Sequence, residues 1–194
     1  MIATAFTMIR RQEVLTDPAS SRLCQALPRV PGSYALFLNL PGACHFRVGR
    51  SGEFFFPSGD YVYLGSAFGP GGLGARLGRH LRGDGTPRWH IDYLRKIAQV
   101  CGYAYLEANQ DVDDVPNRGT MHGPAKLECR WSQALAALPG ASIPAPGFGA
   151  SDCEAGCPAH LVAFSHRIDP LKVRLALVQS AAVAYDQLIS FFQN

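Results

Sequence analysis

A strand-like run, a glycine-rich turn and a basic helix start follow one another over residues 61–80, and this order constrains the fold more than any other stretch. Strand alternation places Tyr61 and Tyr63 on one face and the aliphatic residues that follow each of them on the other. The glycines after this run let the chain turn and let a substrate approach the backbone closely. Leucines and basic residues then recur at helical spacing, which predicts a helix with Arg76 and His80 on one face.

Length and composition indicate one domain with additional segments at its ends. The chain has 194 residues, of which 47% are hydrophobic and 17% are charged. That is enough apolar material for a proper core and too much for a disordered chain. We expect a lead-in with a short helix over 1–29, a central domain over 30–168 and a helical C-terminal extension over 169–194.

No targeting or membrane signal is recognisable. The short apolar start before Arg10 has no basic leader, and charged residues interrupt the apolar C-terminal segment. We therefore expect neither a secretory signal nor a spanning helix, and no membrane partner. Six cysteines at irregular spacing are unlike a secreted disulfide pattern, so we expect thiols or metal ligands in a cytoplasmic protein. The oligomeric state is not indicated.

Four further runs have the composition of strands. Residues 32–39 form an aromatic and aliphatic run between prolines, which predicts a central strand. Residues 44–48 follow a Pro-Gly turn and are predicted to be its hairpin partner. Residues 100–107 predict another strand, and residues 161–165 predict the last one. Together these runs indicate an α+β fold in the broad α/β class, with a small, mostly antiparallel central sheet flanked by helices.

The clearest helix signal lies over residues 124–138. It begins at a proline and ends before a Pro-Gly pair, and Glu128 lies beside its apolar stripe. A short helix is predicted over 17–27, and a helix or tight turn begins at residue 89. The polar segment 109–124 and the proline-rich segment 141–149 are predicted loops. The tail from Pro170 is either a helix that packs on the body or a dimer contact.

Positive charge is concentrated in the segment from Arg76 to Lys96. Six lysines and arginines face two aspartates there, which gives +4, whereas the whole chain carries +3. A localised positive field of this kind is what phosphate binding requires. The simpler alternative is a solvated arginine-rich surface. Within the segment, Trp89 is expected to pack in the core or to stack on a base, and His90 is a candidate substrate-binding residue.

Three motifs in this order resemble those of the GIY-YIG nuclease superfamily. The first signature tripeptide would be Gly32-Ser33-Tyr34, the second Tyr63-Leu64-Gly65, and the basic helix carries Arg76. The segments 89–94 and 148–153 make the chain most similar to one branch, a domain-of-unknown-function family sometimes fused to endonuclease III-type repair enzymes. The resemblance covers residues 30–165, and it implies a nuclease fold and hydrolysis of DNA.

The resemblance implies a set of five catalytic residues. Tyr34 and Tyr63 would be the signature tyrosines, one of which orients or deprotonates the attacking water. Arg76 would bind the scissile phosphate, and His80 would relay a proton or bind a neighbouring oxygen. Glu128 would be the single carboxylate ligand of Mg²⁺ or Mn²⁺. Because a phenol has a pKa near 10, nearby cations or a metal would be needed to stabilise its phenolate.

Each of these residues has a simpler interpretation. Tyr34 and Tyr63 are aromatic residues in strands, where core and rim positions are common. Arg76 and His80 can be an exposed helical pair, and Glu128 can be a first-turn charge that suits the helix dipole. The conjunction of residue types in this order favours the active-site interpretation.

The chain departs from the family pattern beside the second tripeptide. Ser66 stands where several members carry a lysine, so one phosphate contact is either missing or supplied by Arg50 or Arg79. A longer insertion that holds the aromatic run 54–56 separates the tripeptides. These departures concern cleavage more than fold, because a site can lose one part and remain a binding site.

A second group of candidate ligands lies near the end of the central domain. Cys153, Cys157 and His160 have the short spacing that zinc sites use, and Cys129 or Asp152 could supply a fourth ligand. A structural zinc ion is one interpretation. The alternative is that the cysteines are buried thiols and the aspartate is a helix or turn cap.

Three functions follow from these observations. The first is a metal-dependent endonuclease that acts on DNA, in repair or processing. The second is a nucleic-acid-binding module of the same fold that does not cleave efficiently. The third is a structural or partner-binding domain whose apolar C-terminal segment mediates association.

Overall fold

The computed structural model describes residues 27–83, 85–108 and 126–192. The predicted helix over 17–27, apart from Leu27, and the predicted loop over 109–124 lie outside these residues. The elements in chain order are β1 Gly32–Leu40, β2 Cys44–Arg47, β3 Glu53–Phe56, β4 Gly59–Ser66, α1 Gly72–Arg82, α2 His90–Leu94, β5 Gln99–Glu107, α3 Leu127–Ala136, β6 Ala141–Ser142, β7 Leu161–Phe164, α4 Pro170–Ala181 and β8 Ile189–Phe192.

Six of the strands form one sheet in the order β6-β7-β4-β1-β5-β8, and neighbouring strands are antiparallel throughout. The predicted α+β fold with an antiparallel central sheet is therefore confirmed. β1 lies between β4 and β5, as its continuous apolar composition predicts for a strand buried on both faces. None of the helices in the described ranges is both long and apolar enough to cross a membrane.

The two faces of the sheet carry two separate cores, and β4 contributes to both. Tyr61 and Tyr63 lie in the core that α1 and α2 cover, whereas Val62 and Leu64 lie in the core that α3 and α4 cover. The predicted alternation of this strand is confirmed. Its consequence for the site is that both tyrosines project toward the side of the sheet that carries the basic helix α1.

The predicted hairpin between β1 and residues 44–48 is wrong. β2 pairs instead with β3 in a separate two-stranded sheet. The reason is that β4 and β5 already occupy both edges of β1, so no hydrogen-bonding edge remains for β2. The rings of Phe46 and Phe56 stack with their centroids 4.4 Å apart, and the fully buried Phe56 joins this small hairpin to the core.

The strand predicted over 161–165 forms as β7, but the prediction that it is the last strand is wrong. β8 follows and pairs with the free edge of β5. Its aromatic residues explain the pairing, because Phe192 packs edge-to-face on Phe37 with ring centroids 4.8 Å apart. The short strand β6 also lies inside the predicted loop over 141–149, where it pairs with β7.

The helix predicted from Pro170 forms and packs on the body of the protein. Asp169 caps α4 by accepting a hydrogen bond from the Leu171 amide at 2.9 Å. The Trp131 indole of α3 donates to the Leu177 carbonyl of α4 at 3.0 Å, and both side chains are fully buried. These contacts attach the C-terminal segment to the same core as the central sheet.

Candidate functional site

A cleft of about 820 Å³ lies where the end of β4, helix α1 and the start of α3 converge. The five residues that the resemblance identifies as catalytic all line it, together with Ser66. These residues are Tyr34, Tyr63, Arg76, His80 and Glu128. They come from β1, β4, α1 and α3, so the sheet and two helices bring together side chains that are up to 94 positions apart in the chain.

Glycines in the two tripeptides make room for the tyrosine rings. Tyr34 on β1 is the cross-strand partner of Gly65 on β4, and its ring lies over that glycine. Gly32 faces the Leu106 carbonyl oxygen, which would be 2.4 Å from any Cβ atom at this position. Tyr63 is supported in a similar way by Gly149, where a Cβ atom would come within 2.8 Å of the Tyr63 ring. Gly65 and Gly149 therefore leave the space that the two tyrosine rings occupy, and Gly32 allows β1 to lie close to Leu106.

Tyr34, His80 and Asp92 form a chain of polar contacts beneath the cleft. The Tyr34 hydroxyl lies 3.0 Å from His80 Nε2, and His80 Nδ1 lies 3.2 Å from an oxygen of Asp92. The second contact has the distance of an ion pair without the alignment of a hydrogen bond. Because a carboxylate only accepts, we assign the proton of the neutral imidazole to Nδ1 and the acceptor lone pair to Nε2. Tyr34 then donates to His80.

Burial and neighbouring charges set the protonation of these three groups. Burial raises the pKa of Tyr34 well above its ordinary value, and Tyr63 adds to this effect. Burial also lowers the pKa of His80, although the adjacent Asp92 opposes the change. Burial alone would raise the pKa of Asp92, but His80, the amides of Arg88 and Trp89 and the Arg79 guanidinium outweigh it and lower the pKa. At neutral pH the set is therefore phenol, neutral imidazole and carboxylate.

Arg76 places a guanidinium at the cleft wall. Its Nη1 donates to the Ser66 carbonyl oxygen at 2.6 Å, and its Cζ atom lies 4.9 Å from the centroid of the Trp89 ring. These two contacts hold the plane of the guanidinium. Among the described residues, Arg76 makes no side-chain hydrogen bond other than the one to Ser66. Its remaining N–H groups can therefore donate to a bound anion.

Glu128 has a buried carboxylate group with one oxygen that forms no hydrogen bond to the described residues. Its side chain is 6% exposed and lines the cleft. Among the described residues, its Oε2 atom has no hydrogen-bond partner. An unpaired buried carboxylate oxygen is costly, and binding of a cation removes that cost. This oxygen can therefore accept a divalent metal ion or another positive group.

Three predicted substrate-binding residues lie outside the lining of the cleft. Arg79 pairs with Asp92 at 3.1 Å and supports the polar chain from behind. His90 accepts from the Gly149 amide through Nδ1 at 2.9 Å and lies 2.8 Å from the Ser51 hydroxyl through Nε2. Arg50 is exposed in the turn between β2 and β3. The contacts of Arg79 and His90 are thus with the protein itself.

Of the two candidates for a fourth metal ligand, Cys129 and Asp152, the structure places Cys129 beside the other three. The sulfur of Cys129 lies 3.5 Å from the sulfur of Cys153 and 3.6 Å from His160 Nε2. With Cys157, the four ligand atoms all lie within 4.8 Å of one another. We call these four residues the Cys₃His cluster. They can bind a metal ion, and the sulfur–sulfur distance is too long for a disulfide.

The Cys₃His cluster forms part of the cleft floor. Cys129, Cys153 and His160 line the cleft alongside Glu128. Burial raises the pKa of Cys129 and lowers that of His160, and the Glu128 carboxylate partly offsets the shift at His160. The cluster and Glu128 therefore interact electrostatically as parts of one site.

Asp92 is a residue of the site that the sequence patterns did not predict. In the sequence it is only one of two aspartates that reduce the positive charge of the segment from Arg76 to Lys96. A signal was present, since a carboxylate in the first turn of a short helix accepts backbone N–H groups. Asp92 accepts from the amides of Arg88 at 2.8 Å and Trp89 at 3.1 Å. Its contact with His80 had no sequence signal, because it depends on the packing of α2 against α1.

The chain belongs to the family described as domain of unknown function DUF123, whose model matches residues 33–183. The prediction of a domain-of-unknown-function family is confirmed at that level. A relation to GIY-YIG nucleases, and a fusion to repair enzymes, stay predictions. No curated protein and no solved structure matches the chain.

Proposed function

We propose that the protein is a metal-dependent endonuclease that hydrolyses phosphodiester bonds of DNA, in repair or processing. The observation that carries the proposal is the convergence of a guanidinium, a phenol–imidazole–carboxylate chain and an unpaired carboxylate on one cleft. Phosphodiester hydrolysis needs an activated water, a positive group for the charge that develops at phosphorus, and a means to stabilise the leaving oxygen. Each requirement has a candidate in this cleft.

In the proposed reaction, Arg76 binds the scissile phosphate through its N–H groups. A water molecule attacks phosphorus, and the bond from phosphorus to one sugar oxygen breaks. The water's proton passes to the Tyr34 oxygen while the Tyr34 proton passes to Nε2 of His80, and the sugar oxygen takes a proton from solvent. The two transfers are concerted because the raised pKa of Tyr34 disfavours a free phenolate, and the lowered pKa of His80 keeps Nε2 unprotonated at neutral pH and able to take the proton. Tyr63 would orient the attacking water.

Asp92 has the role of a positioning residue in this proposal. It orients the His80 ring through Nδ1 and stabilises the imidazolium that forms when Nε2 takes the proton. Tyr34 is thus the activated group, His80 is its base, and Asp92 orients that base.

Glu128 would hold Mg²⁺ or Mn²⁺. The fit rests on its buried Oε2 atom, which has no partner among the described residues. A single carboxylate suits Mg²⁺, which usually keeps several waters and completes its shell with substrate phosphates. When bound, the ion would neutralise negative charge on the phosphate during hydrolysis.

For the Cys₃His cluster we propose a structural Zn²⁺ ion. Ordinary zinc–sulfur and zinc–nitrogen bond lengths in a tetrahedron separate the ligand atoms by about 3.6–3.8 Å. Two of the observed separations, 3.5 Å and 3.6 Å, are close to this spacing, and all four ligand atoms lie within 4.8 Å of one another. Four protein ligands leave no open position, which is the arrangement of a structural site. Cysteines without disulfide partners among the described residues favour a reducing compartment, and we propose the cytoplasm as the place of action.

The proposal is tested by incubating the purified protein with supercoiled, linear, single-stranded and branched DNA. Reactions contain Mg²⁺ or Mn²⁺, with EDTA as the negative control. We expect metal-dependent nicking that is abolished in Glu128→Gln, with the fold of the variant checked by circular dichroism. Glu154→Gln, at an exposed position on the rim of the same cleft, is the matched carboxylate control.

The other two functions are outcomes of the same experiment. Salt-sensitive DNA binding without cleavage on any substrate would replace the nuclease with a nucleic-acid-binding module. Neither cleavage nor binding would leave a structural or partner-binding domain. Cleavage that survives in folded Glu128→Gln would contradict the assigned metal ligand.

A further inference from the structure

The Cys₃His cluster is joined to both sides of the cleft. Cys129 directly follows Glu128, and both lie in the first turn of α3. On the opposite side, the His160 carbonyl oxygen accepts from the Leu64 amide at 2.9 Å, and Leu64 directly follows Tyr63. A metal ion that binds Cys129 and His160 therefore connects the chain segments that carry Glu128 and Tyr63.

Among the residues that the structure describes, the start of α3 makes few hydrogen bonds through its side chains. The helix has no side-chain hydrogen bond at its N-cap, Lys126, whose own side chain is exposed. Ser132 ties the helix to the Ala159 carbonyl at 2.6 Å, but one turn further along. Among the described residues, the first turn, which presents Glu128, is held by the packing of Leu127 on the core and by the contacts of Cys129 in the cluster.

The segment that supplies the other ligands also supports Tyr63. Residues 147–160 are folded back on themselves by hydrogen bonds from the Gly147 amide to the Pro158 carbonyl and from the His160 amide to the Phe148 carbonyl. Gly149 within this segment contacts the Tyr63 ring and donates its amide to His90. If this segment becomes more mobile, the support of the Tyr63 ring and the hydrogen bond to His90 of α2 are weakened as well.

We propose that Zn²⁺ bound by Cys129, Cys153, Cys157 and His160 is a positioning centre for the cleft, which fixes Glu128 against Tyr63 and so creates the site for the second, divalent metal. The part of this inference that concerns the divalent metal rests on the proposed function. The part that concerns the order of the α3 first turn does not.

The physical basis is the stiffness of a closed tetrahedral site. Four metal bonds restrain two segments whose described side chains otherwise make sulfur contacts of 3.5–3.9 Å and the more distant Ser132 bond. Because the carboxylate of Glu128 is buried and unpaired, movement of the first turn toward solvent is favoured once this restraint is lost. Bound zinc would therefore keep the Glu128 side chain inside the cleft.

The test compares Cys153→Ser with Cys101→Ser in the 194-residue chain. Both cysteines are half-buried, but Cys101 lies on β5 outside the cluster. Three quantities are measured: zinc content, amide hydrogen exchange and Mn²⁺ affinity by electron paramagnetic resonance. Wild type and Cys101→Ser should contain one zinc per chain. Cys153→Ser should lose it, exchange the Cys129 and His160 amides faster, and bind Mn²⁺ about tenfold to a hundredfold more weakly.

A second measurement keeps the test independent of the folding of Cys153→Ser. Wild-type protein is stripped with a chelator under reducing conditions and then reloaded with one equivalent of Zn²⁺. Reloading should restore amide protection and Mn²⁺ affinity together. Co²⁺ in place of Zn²⁺ should give the absorption bands of a tetrahedral thiolate site.

The outcomes separate the inference from the proposed function. Zinc loss that leaves amide protection and Mn²⁺ affinity unchanged would overturn the inference, as would wild-type protein that neither contains nor takes up zinc. If wild type binds no Mn²⁺ and cleaves no DNA, the proposed function fails. Zinc-dependent protection of the α3 first turn would then still support the positioning role.

Discussion

Tyr34 lies directly opposite Gly65 across the ladder of β1 and β4, and a Cβ atom on Gly65 would come within 2.5 Å of the Tyr34 hydroxyl oxygen. The second tripeptide therefore ends in glycine because the tyrosine of the first tripeptide occupies the space above it. The two motifs act as one packing unit, although Tyr34 and Gly65 are 31 positions apart in the chain.

Gly65→Ala should displace the Tyr34 ring and break its contact with His80. The variant should lose about 1–3 kcal/mol of unfolding free energy through overpacking, and nicking of plasmid DNA should fall sharply. Urea unfolding and the nicking assay measure the two effects. Gly42→Ala is the matched control, since a Cβ atom there has no neighbour within 4 Å. Wild-type activity in Gly65→Ala would argue against a role for Tyr34.

Asp92→Asn should lower the rate and shift its pH dependence. His80 accepts a proton only when neutral, so the rate falls as pH drops through its pKa, which burial places below the ordinary value near 6.5. Because Asp92 raises that pKa, its neutralisation should move the acid limb to still lower pH and reduce the plateau about 10²–10⁴-fold. A rate–pH profile of both proteins checks this. An unchanged acid limb would remove Asp92 from the proposed relay.

Arg76→Lys should weaken catalysis although the charge is kept. Lysine cannot reproduce the planar contact with Trp89 and the hydrogen bond to Ser66 while also binding phosphate. We expect a loss of about 10²–10³-fold in cleavage rate. Single-turnover cleavage measures it, and Arg47→Lys, at an exposed position on β2, should behave as wild type. A loss of equal size in both variants would point to a general charge effect.

The protein should become less stable as pH falls below about 6.5. Burial lowers the pKa of His80 and of His90, so the unfolded chain binds more protons than the folded one below that pH. The free energy of unfolding in urea should therefore decrease between pH 7.5 and 5.5. His90→Asn, whose side-chain oxygen can still accept from Gly149, should reduce this dependence. His45→Asn, at an exposed position, should not.

Trp131→Phe should loosen the C-terminal helix. The substitution removes the hydrogen bond to the Leu177 carbonyl, which still accepts from the Ser180 hydroxyl at 3.1 Å, so the loss of this one bond costs about 0.5–1.5 kcal/mol. Limited proteolysis should then cut within or after α4 before it cuts the central sheet. If native-state hydrogen exchange shows that α4 and the sheet lose amide protection together, the two unfold as one cooperative unit, which would contradict this prediction.

Local patterns in the sequence determined much of this fold. The alternation in 61–66 placed Tyr63 on the correct face, and apolar length identified β1 as a central strand. Helical spacing identified α1 and α3, with Glu128 beside the apolar stripe. Each of these features depends on side-chain periodicity or on turn residues within a few positions of one another, which is why they can be predicted without knowledge of the rest of the chain.

Only the tertiary structure decided which distant groups meet. The pairing of β2 with β3 followed from the occupation of both edges of β1, and the place of β8 followed from the open edge of β5. His80 meets Asp92, and Cys129 meets His160, because helices pack on the sheet at particular positions. Periodicity fixes the face on which a side chain lies, whereas the partner across that face depends on packing among elements far apart in the chain.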